Sequence, residues 1–156
     1  MCTVIEREGG RRWFAAGSAR CRIGYRASMG ERRRVSSGSP FEPVIGFSRA
    51  VRVGDRVLVS GTGPIWPDGG CDPGAEVQAA RCIEIIADAL REAGAALGDV
   101  VRTRLFITSI DDVAAVGRAH AAAFGDIRPA ATLVVVAGLA DVRWKVEIEA
   151  EAVVEP

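Results

Sequence analysis

A two-layer α/β domain, with two helices on one face of a mixed β-sheet, is the fold class that the sequence predicts. Three observations carry the prediction. Val77, Cys82, Ile83, Ile86 and Leu90 recur at helical spacing, as do Val113, Val116, His120 and Phe124, which gives two amphipathic helices. Thr132 to Ala137 is almost continuously apolar, the mark of a strand buried on both faces. Trp144 to Val154 alternates, with Val146, Ile148, Ala150 and Ala152 on one side and Lys145, Glu147, Glu149 and Glu151 on the other. A sheet with helices packed on it satisfies all three, because each apolar face needs an opposing layer.

The elements follow in order. Val44 to Ala50 reads as a first strand, continued by Val51 and Val53, and Gly54-Asp55 turns the chain into a second strand over Arg56–Gly61. Pro67-Asp68-Gly69-Gly70 marks a loop. Asp72 is placed to cap the first helix, with Pro73 at its first position and Gly94 at its end. Val100 to Thr108 is the next strand, Asp111-Asp112 opens the second helix and Gly125 stops it. The order is ββαβαββ. Helices cover one side of this sheet, and strands this apolar leave the other side to be covered by association.

A chain of 156 residues is enough for one compact domain and short for two. No apolar run approaches the roughly 20 residues of a membrane span, so no membrane partner is expected. Net charge is zero but unevenly spread: residues 1–40 hold nine Arg against three Glu, so the remainder carries a net −6. That first stretch has no sustained period and is rich in Gly, Arg and Ser. It reads as a disordered basic arm over 1–40, with the domain proper over 41–156 and Met29 a candidate true start. Nucleic-acid binding calls for basic residues on the folded body, so no nucleic-acid partner is expected. Cys2, Cys21, Cys71 and Cys82 form no CxxC and fit no zinc spacing. The chain reads as reduced and cytoplasmic, free of metal and cofactor, with Cys82 a buried inert thiol. Neither a phosphate-cradling glycine loop nor a Ser-His-Asp pattern is present.

Several short motifs occur in a fixed order: Val53-Gly54-Asp55 with Val59-Ser60-Gly61, Gln78-Ala79, Glu92-Ala93-Gly94, Asp99-Val100-Val101, Ile110-Asp111-Asp112, Pro129-Ala130 and Val146-Glu147-Ile148-Glu149-Ala150. Together, over residues 41–156, they resemble the RidA (YjgF/YER057c/UK114) family, small trimeric proteins that hydrolyse reactive enamines and imines. The resemblance implies a chorismate-mutase-like fold, a homotrimer with clefts between adjacent subunits, and a small imine or enamine metabolite as partner. It implies Glu147 as the residue that positions the attacking water. It also implies Phe47, Ser60, Gly61, Gly117, Ala131 and Leu133 as pocket positions.

Several of these depart from the family pattern. Deaminating members carry an arginine directly after the Pro-Ala pair, whose fork holds the substrate carboxylate; here that position is Ala131. Such a charge-assisted bond is worth roughly 1.5–3 kcal/mol. Phe47 replaces a tyrosine, Gly117 an asparagine and Leu133 a cysteine or small residue. The expected cleft is roomier and less charged, suited to a larger, less acidic ligand than 2-iminobutanoate. Arg49, Arg118 and Arg143 are the arginines available to reach in, but no motif places them, and a solvated surface role is expected for each. His120 is expected to pack in the core, Trp66 to anchor its loop and Trp144 to pack at a sheet edge or subunit interface. Two functions follow: an imine or enamine hydrolase, and a trimeric module that binds a small molecule without turnover. Endoribonuclease activity fits poorly with an acidic body that lacks a histidine acid–base pair.

Overall fold

A computed structural model of the chain describes residues 31–155. Residues 1–30, with Met29 and most of the basic arm, lie outside the described residues. The elements are β1 (Arg33–Val35), a π-helical turn (Glu42–Gly46), β2 (Ala50–Val53), β3 (Arg56–Thr62), α1 (Ala75–Glu92), β4 (Val100–Ile107), α2 (Val113–Phe124), β5 (Ala130–Val135) and β6 (Val146–Val153). They build one six-stranded sheet in the order β1-β2-β3-β6-β4-β5. The strand pairs are antiparallel except β4–β5, which is parallel because α2 carries the chain across between them. This is the mixed two-layer fold that the hydrophobic periods predict.

The core lies between the sheet and the helices. Val57, Val59, Leu105, Ile107, Val146, Ile148, Ala150 and Ala152 point in from the strands, and Ala79, Cys82, Ile86, Leu90, Val116 and Phe124 meet them. Cys82 is fully buried, and burial pushes its thiol pKa well above the ordinary value, so it is the inert thiol expected. Gly94 ends α1 as expected, at φ +76°, a left-handed conformation that a side chain resists. Arg52 Nη1 donates to the carbonyls of Ala93 and Gly94 at 3.0 and 2.6 Å and ties that end to β2.

Three boundaries and one burial assignment differ from the sequence reading. Val44 and Ile45 belong to the helical turn, not to a strand, and stand 81% and 71% exposed. Pro43 explains this: it brings no N–H to a ladder and sits at the start of the turn. Ordered chain also begins before residue 41, because β1 pairs with β2 and buries Val35. Behind it, the buried Glu42 carboxylate accepts from Ser36 Oγ (2.5 Å) and from Ser37 N and Oγ (both 2.7 Å). Helix α1 starts at Ala75 and not at Pro73, since Asp72 accepts the Gly74 N–H at 2.8 Å in a turn ahead of the helix. Val77, assigned to the buried face, is 48% exposed.

The face away from the helices differs as well. It is not simply apolar: Arg104 bridges Glu149 and Glu151, and Arg102 approaches Glu151 at 3.9 Å, with the exposed Leu58 and Val134 beside them. Strand β5, read as buried on both faces, is largely exposed in the single chain. An apolar run shows that a strand needs cover without showing that its own chain supplies it.

Candidate active site

The site is built on an irregularity between β3 and β6. Val59 pairs with Ala150 and Thr62 with Ile148, so β3 takes three steps where β6 takes two. The additional residue is a β-bulge at Ser60–Gly61. A bulge withdraws backbone groups from the ladder, and here they find other partners. Arg49 Nη2 donates to the carbonyls of Ser60 (2.8 Å) and Gly61 (2.7 Å). The Ser60 N–H donates to Arg49 O at 3.1 Å, Ser60 Oγ to Ser48 O at 2.8 Å and Thr62 Oγ1 to Ser60 O at 2.8 Å. The bulge is thus braced from the strand beside it.

Glu147 lies over this bulge. It alternates with the inward-facing Val146 and Ile148, so it projects from the open face of β6. A Cβ on residue 61 would collide with Glu147 Oε1, so the carboxylate occupies the space where a side chain at Gly61 would stand. Glu147 is half-buried. Burial raises its pKa above the ordinary carboxylate value, the Arg49 cation partly opposes this, and Glu149 adds to it.

Arg49 is the functional candidate that sequence reasoning undervalued. Expected at the surface with Arg118 and Arg143, it is only 7% exposed. Its hydrogen bonds go to carbonyls, with no carboxylate among them. Its Nε is buried without a partner, alone in this among side-chain atoms of the described residues. Burial lowers its pKa, with Glu42 and Glu147 opposing, yet a guanidinium remains a cation. Arg118 and Arg143 are the exposed surface arginines expected, paired with Glu76 and Asp141, each at 2.6 Å. The one sequence signal for Arg49 is a long cation directly before an apolar strand, and that is weak, because strand ends are ordinarily solvated.

The approach to Glu147 is fixed by Gln78, a fully buried side chain on α1. Its Nε2 donates to Asp72 O at 2.6 Å and Arg143 O at 3.0 Å, and its Oε1 accepts from Lys145 N at 2.7 Å. Trp144 lays its ring against Gly63, next to the end of β3. His120 packs as expected: Nε2 meets Thr103 Oγ1 at 2.9 Å, the ring centroid is 4.7 Å from that of Phe124, and burial lowers its pKa.

The remaining pocket positions divide. Phe47 is half-buried two residues before Arg49 on the segment that braces the bulge. Gly117 is exposed on α2 with open space around it. Ala131 and Leu133 lie on β5. Glu147 pairs with Phe106, and Phe106 with Val134, so Glu147 is level with a residue two strands away. Ala131 lies three residues further along β5, about 14 Å from Glu147 at ordinary strand spacings. It also shares a face with its partner Thr103, which is buried under α2, and Glu147 points to the other face. One chain brings Glu147, Ser60, Gly61 and Arg49 together and leaves Gly117, Ala131 and Leu133 apart from them.

Known proteins share this fold and much of this sequence. The family model described as Endoribonuclease L-PSP matches residues 38–154. An uncharacterised protein of Streptomyces coelicolor is 44% identical over 123 residues, 77% of this chain and 90% of its own length. The Salmonella typhimurium 2-iminobutanoate/2-iminopropanoate deaminase is 34% identical over 112 residues, 69% of this chain and 86% of its own. A crystal structure of a Mycobacterium tuberculosis member of the YjgF/YER057c/UK114 family is similar at a TM-score of 0.73 and 46% identity, covering 79% of this chain and 99% of that one. The match from residue 38 to 154 takes in the bulge, Arg49 and Glu147 alike, and the chain belongs to the RidA (YjgF/YER057c/UK114) family.

Proposed function

We propose that the protein is an imine or enamine hydrolase that works as a homotrimer, with Glu147 handling the water and its proton. The observation that carries this reading is the half-buried Glu147 carboxylate, its pKa raised, lying on Gly61 of a braced bulge. Hydrolysis of an imine needs little more. Water adds its oxygen to the C=N carbon and gives up one proton while the nitrogen gains one, which forms a carbinolamine; its hydroxyl then gives up the second proton as the nitrogen gains another. The C–N bond then breaks, leaving a carbonyl compound and ammonia or an amine. A carboxylate with a raised pKa suits both transfers, since it is a stronger base than an ordinary carboxylate and its protonated form is still an acid. The family relative named as a 2-iminobutanoate/2-iminopropanoate deaminase supports the reaction class.

The trimer rests on the separation of Ala131 from Glu147 and on the exposed β5 edge. If position 131 helps to line the cleft, as the resemblance implies, it must come from a second copy. Sedimentation at a monomer mass would remove this part of the proposal.

The second reading is a trimer that binds a small molecule without turning it over, and Ala131 favours it. Imine hydrolysis in competition with semicarbazide separates the two. An amino-acid oxidase generates imines from neutral, aromatic and acidic amino acids, and semicarbazone formation is followed with and without the protein. The hydrolase suppresses the signal for some substrates, and Glu147→Gln loses that suppression by about 10²- to 10⁴-fold. No suppression across the panel leaves the binding reading.

A further inference from the structure

We propose that Arg49 is the anion anchor of this site: its guanidinium, already tied to the bulge, takes the carboxylate or other oxyanion of the ligand beside Glu147. This rests on the Ser60–Gly61–Glu147 cleft being a ligand site, and not on hydrolysis occurring there.

Four observations support the assignment. A buried cation is expensive unless a carboxylate pairs with it directly, and Arg49, 7% exposed, donates only to carbonyls, with Glu42 and Glu147 near enough to act on its charge but not bonded to it. Its donors are incompletely used: Nη2 serves Ser60 and Gly61, and Nε has no partner. Nη1 likewise has no partner among the described residues, yet it is not sealed from solvent as Nε is. A native interior rarely leaves such groups unsatisfied, and a bound ligand is one way to complete Nη1, the donor that solvent reaches. The location is right as well. The two carbonyls that hold Arg49 belong to the bulge, and Glu147 Oε1 fills the side-chain space of Gly61. Finally, Ala131 leaves β5 without a cation, so Arg49, on the segment entering β2, moves the anion position to another element. This revises the expectation of a less acidic ligand drawn from Ala131 alone: a cation stands on the same bulge as Glu147.

The test compares acids with their neutral isosteres. Benzoate and benzamide, then 2-oxobutanoate and 2-oxobutanamide, are titrated into the full chain at constant ionic strength, with the Arg49 Nε–H followed by NMR. Each acid is expected to bind more tightly than its amide by about 10- to 100-fold, the reach of one charge-assisted bond, and to shift the Arg49 Nε–H. Arg49→Gln, its fold checked by circular dichroism, is expected to lose the preference and keep the amide affinity. Arg49→Lys, a point charge without the fork, is expected to fall between. Equal binding of acid and amide by the unaltered protein overturns the proposal, and so does an acid preference that survives in Arg49→Gln. Failure of either acid to bind below about 10 mM also overturns it. Loss of the native oligomer in Arg49→Gln, without loss of the acid preference per folded chain, assigns Arg49 to a contact between copies instead. A protein that prefers acids and hydrolyses no imine keeps this inference and loses only the hydrolase reading.

Discussion

A carboxylate held where water is partly excluded binds its proton more tightly than in the unfolded chain, and this links the chemistry of Glu147 to stability. Its folded pKa lies above its unfolded value, so the folded protein retains the proton over a pH window where the unfolded chain has lost it. Stability therefore falls as pH rises from the ordinary carboxylate range through the raised pKa, and is level above it. Glu147→Gln removes that loss. Its melting temperature is expected to match or exceed that of the unaltered protein at pH 7, with the gap closing in acid, while imine turnover disappears. Thermal melts at several pH values check this; a Gln variant less stable at neutral pH would show that the ionised carboxylate holds the fold together. Activity is expected to fall as pH drops through the raised pKa, because the base form is lost. The position of Glu147 on the open face of β6 was legible in the alternation of that strand. The burial of Arg49 was not, since it comes from a bulge that no residue pattern announces, and the same residue type at positions 118 and 143 is ordinary surface.

Element boundaries show what periodicity reports and what it omits. The buried faces of α1 and α2 were legible at Cys82, Ile86, Leu90, Val116 and Phe124 because helical spacing and burial have one cause. The segment before β2 was misread because Val44 and Ile45 suit a strand by composition, whereas Pro43 and the Glu42 carboxylate coil it. Gln78 was noted only as part of a motif, yet its amide joins α1 to the backbone on both sides, at Asp72 and at Arg143–Lys145. Gln78→Ala leaves the buried Lys145 N–H contact and two carbonyl contacts unmade. The expected cost is about 2–4 kcal/mol of unfolding free energy, taking 1–3 kcal/mol for each buried group left unsatisfied and allowing for partial rescue by water. Lys145 is two residues from Glu147, so turnover is expected to fall as well, with kcat reduced more than KM is raised. Urea unfolding and steady-state kinetics check both; a variant as stable as the parent would mean that water replaces the amide.

At the scale of the molecule, the open face and the β5 edge mark where one chain is incomplete. The sequence showed apolar strands in need of cover, but hydrophobic pattern carries no information about whose atoms provide it. In the single chain, position 131 and Glu147 lie on opposite faces and two strands apart. A trimer whose cleft joins position 131 of one copy to Glu147 of the next makes a sharp prediction. Ala131→Arg is expected to raise activity on small imino acids, since it adds to Arg49 a second fork for their carboxylate, from β5. A chain carrying both Ala131→Arg and Glu147→Gln is expected to be inactive alone, and the unaltered chain to be poor on these substrates. Unfolding the two together and refolding them at equal amounts creates clefts that combine the introduced arginine of one chain with the intact Glu147 of another. Random assembly places that pair in about a quarter of the clefts, so the mixture should regain about a quarter of the activity of Ala131→Arg alone. Recovery would establish that neighbouring copies build one site. If Ala131→Arg is active and the mixture is not, the introduced arginine acts within its own chain, and the shared cleft is refuted even if the protein sediments as a trimer.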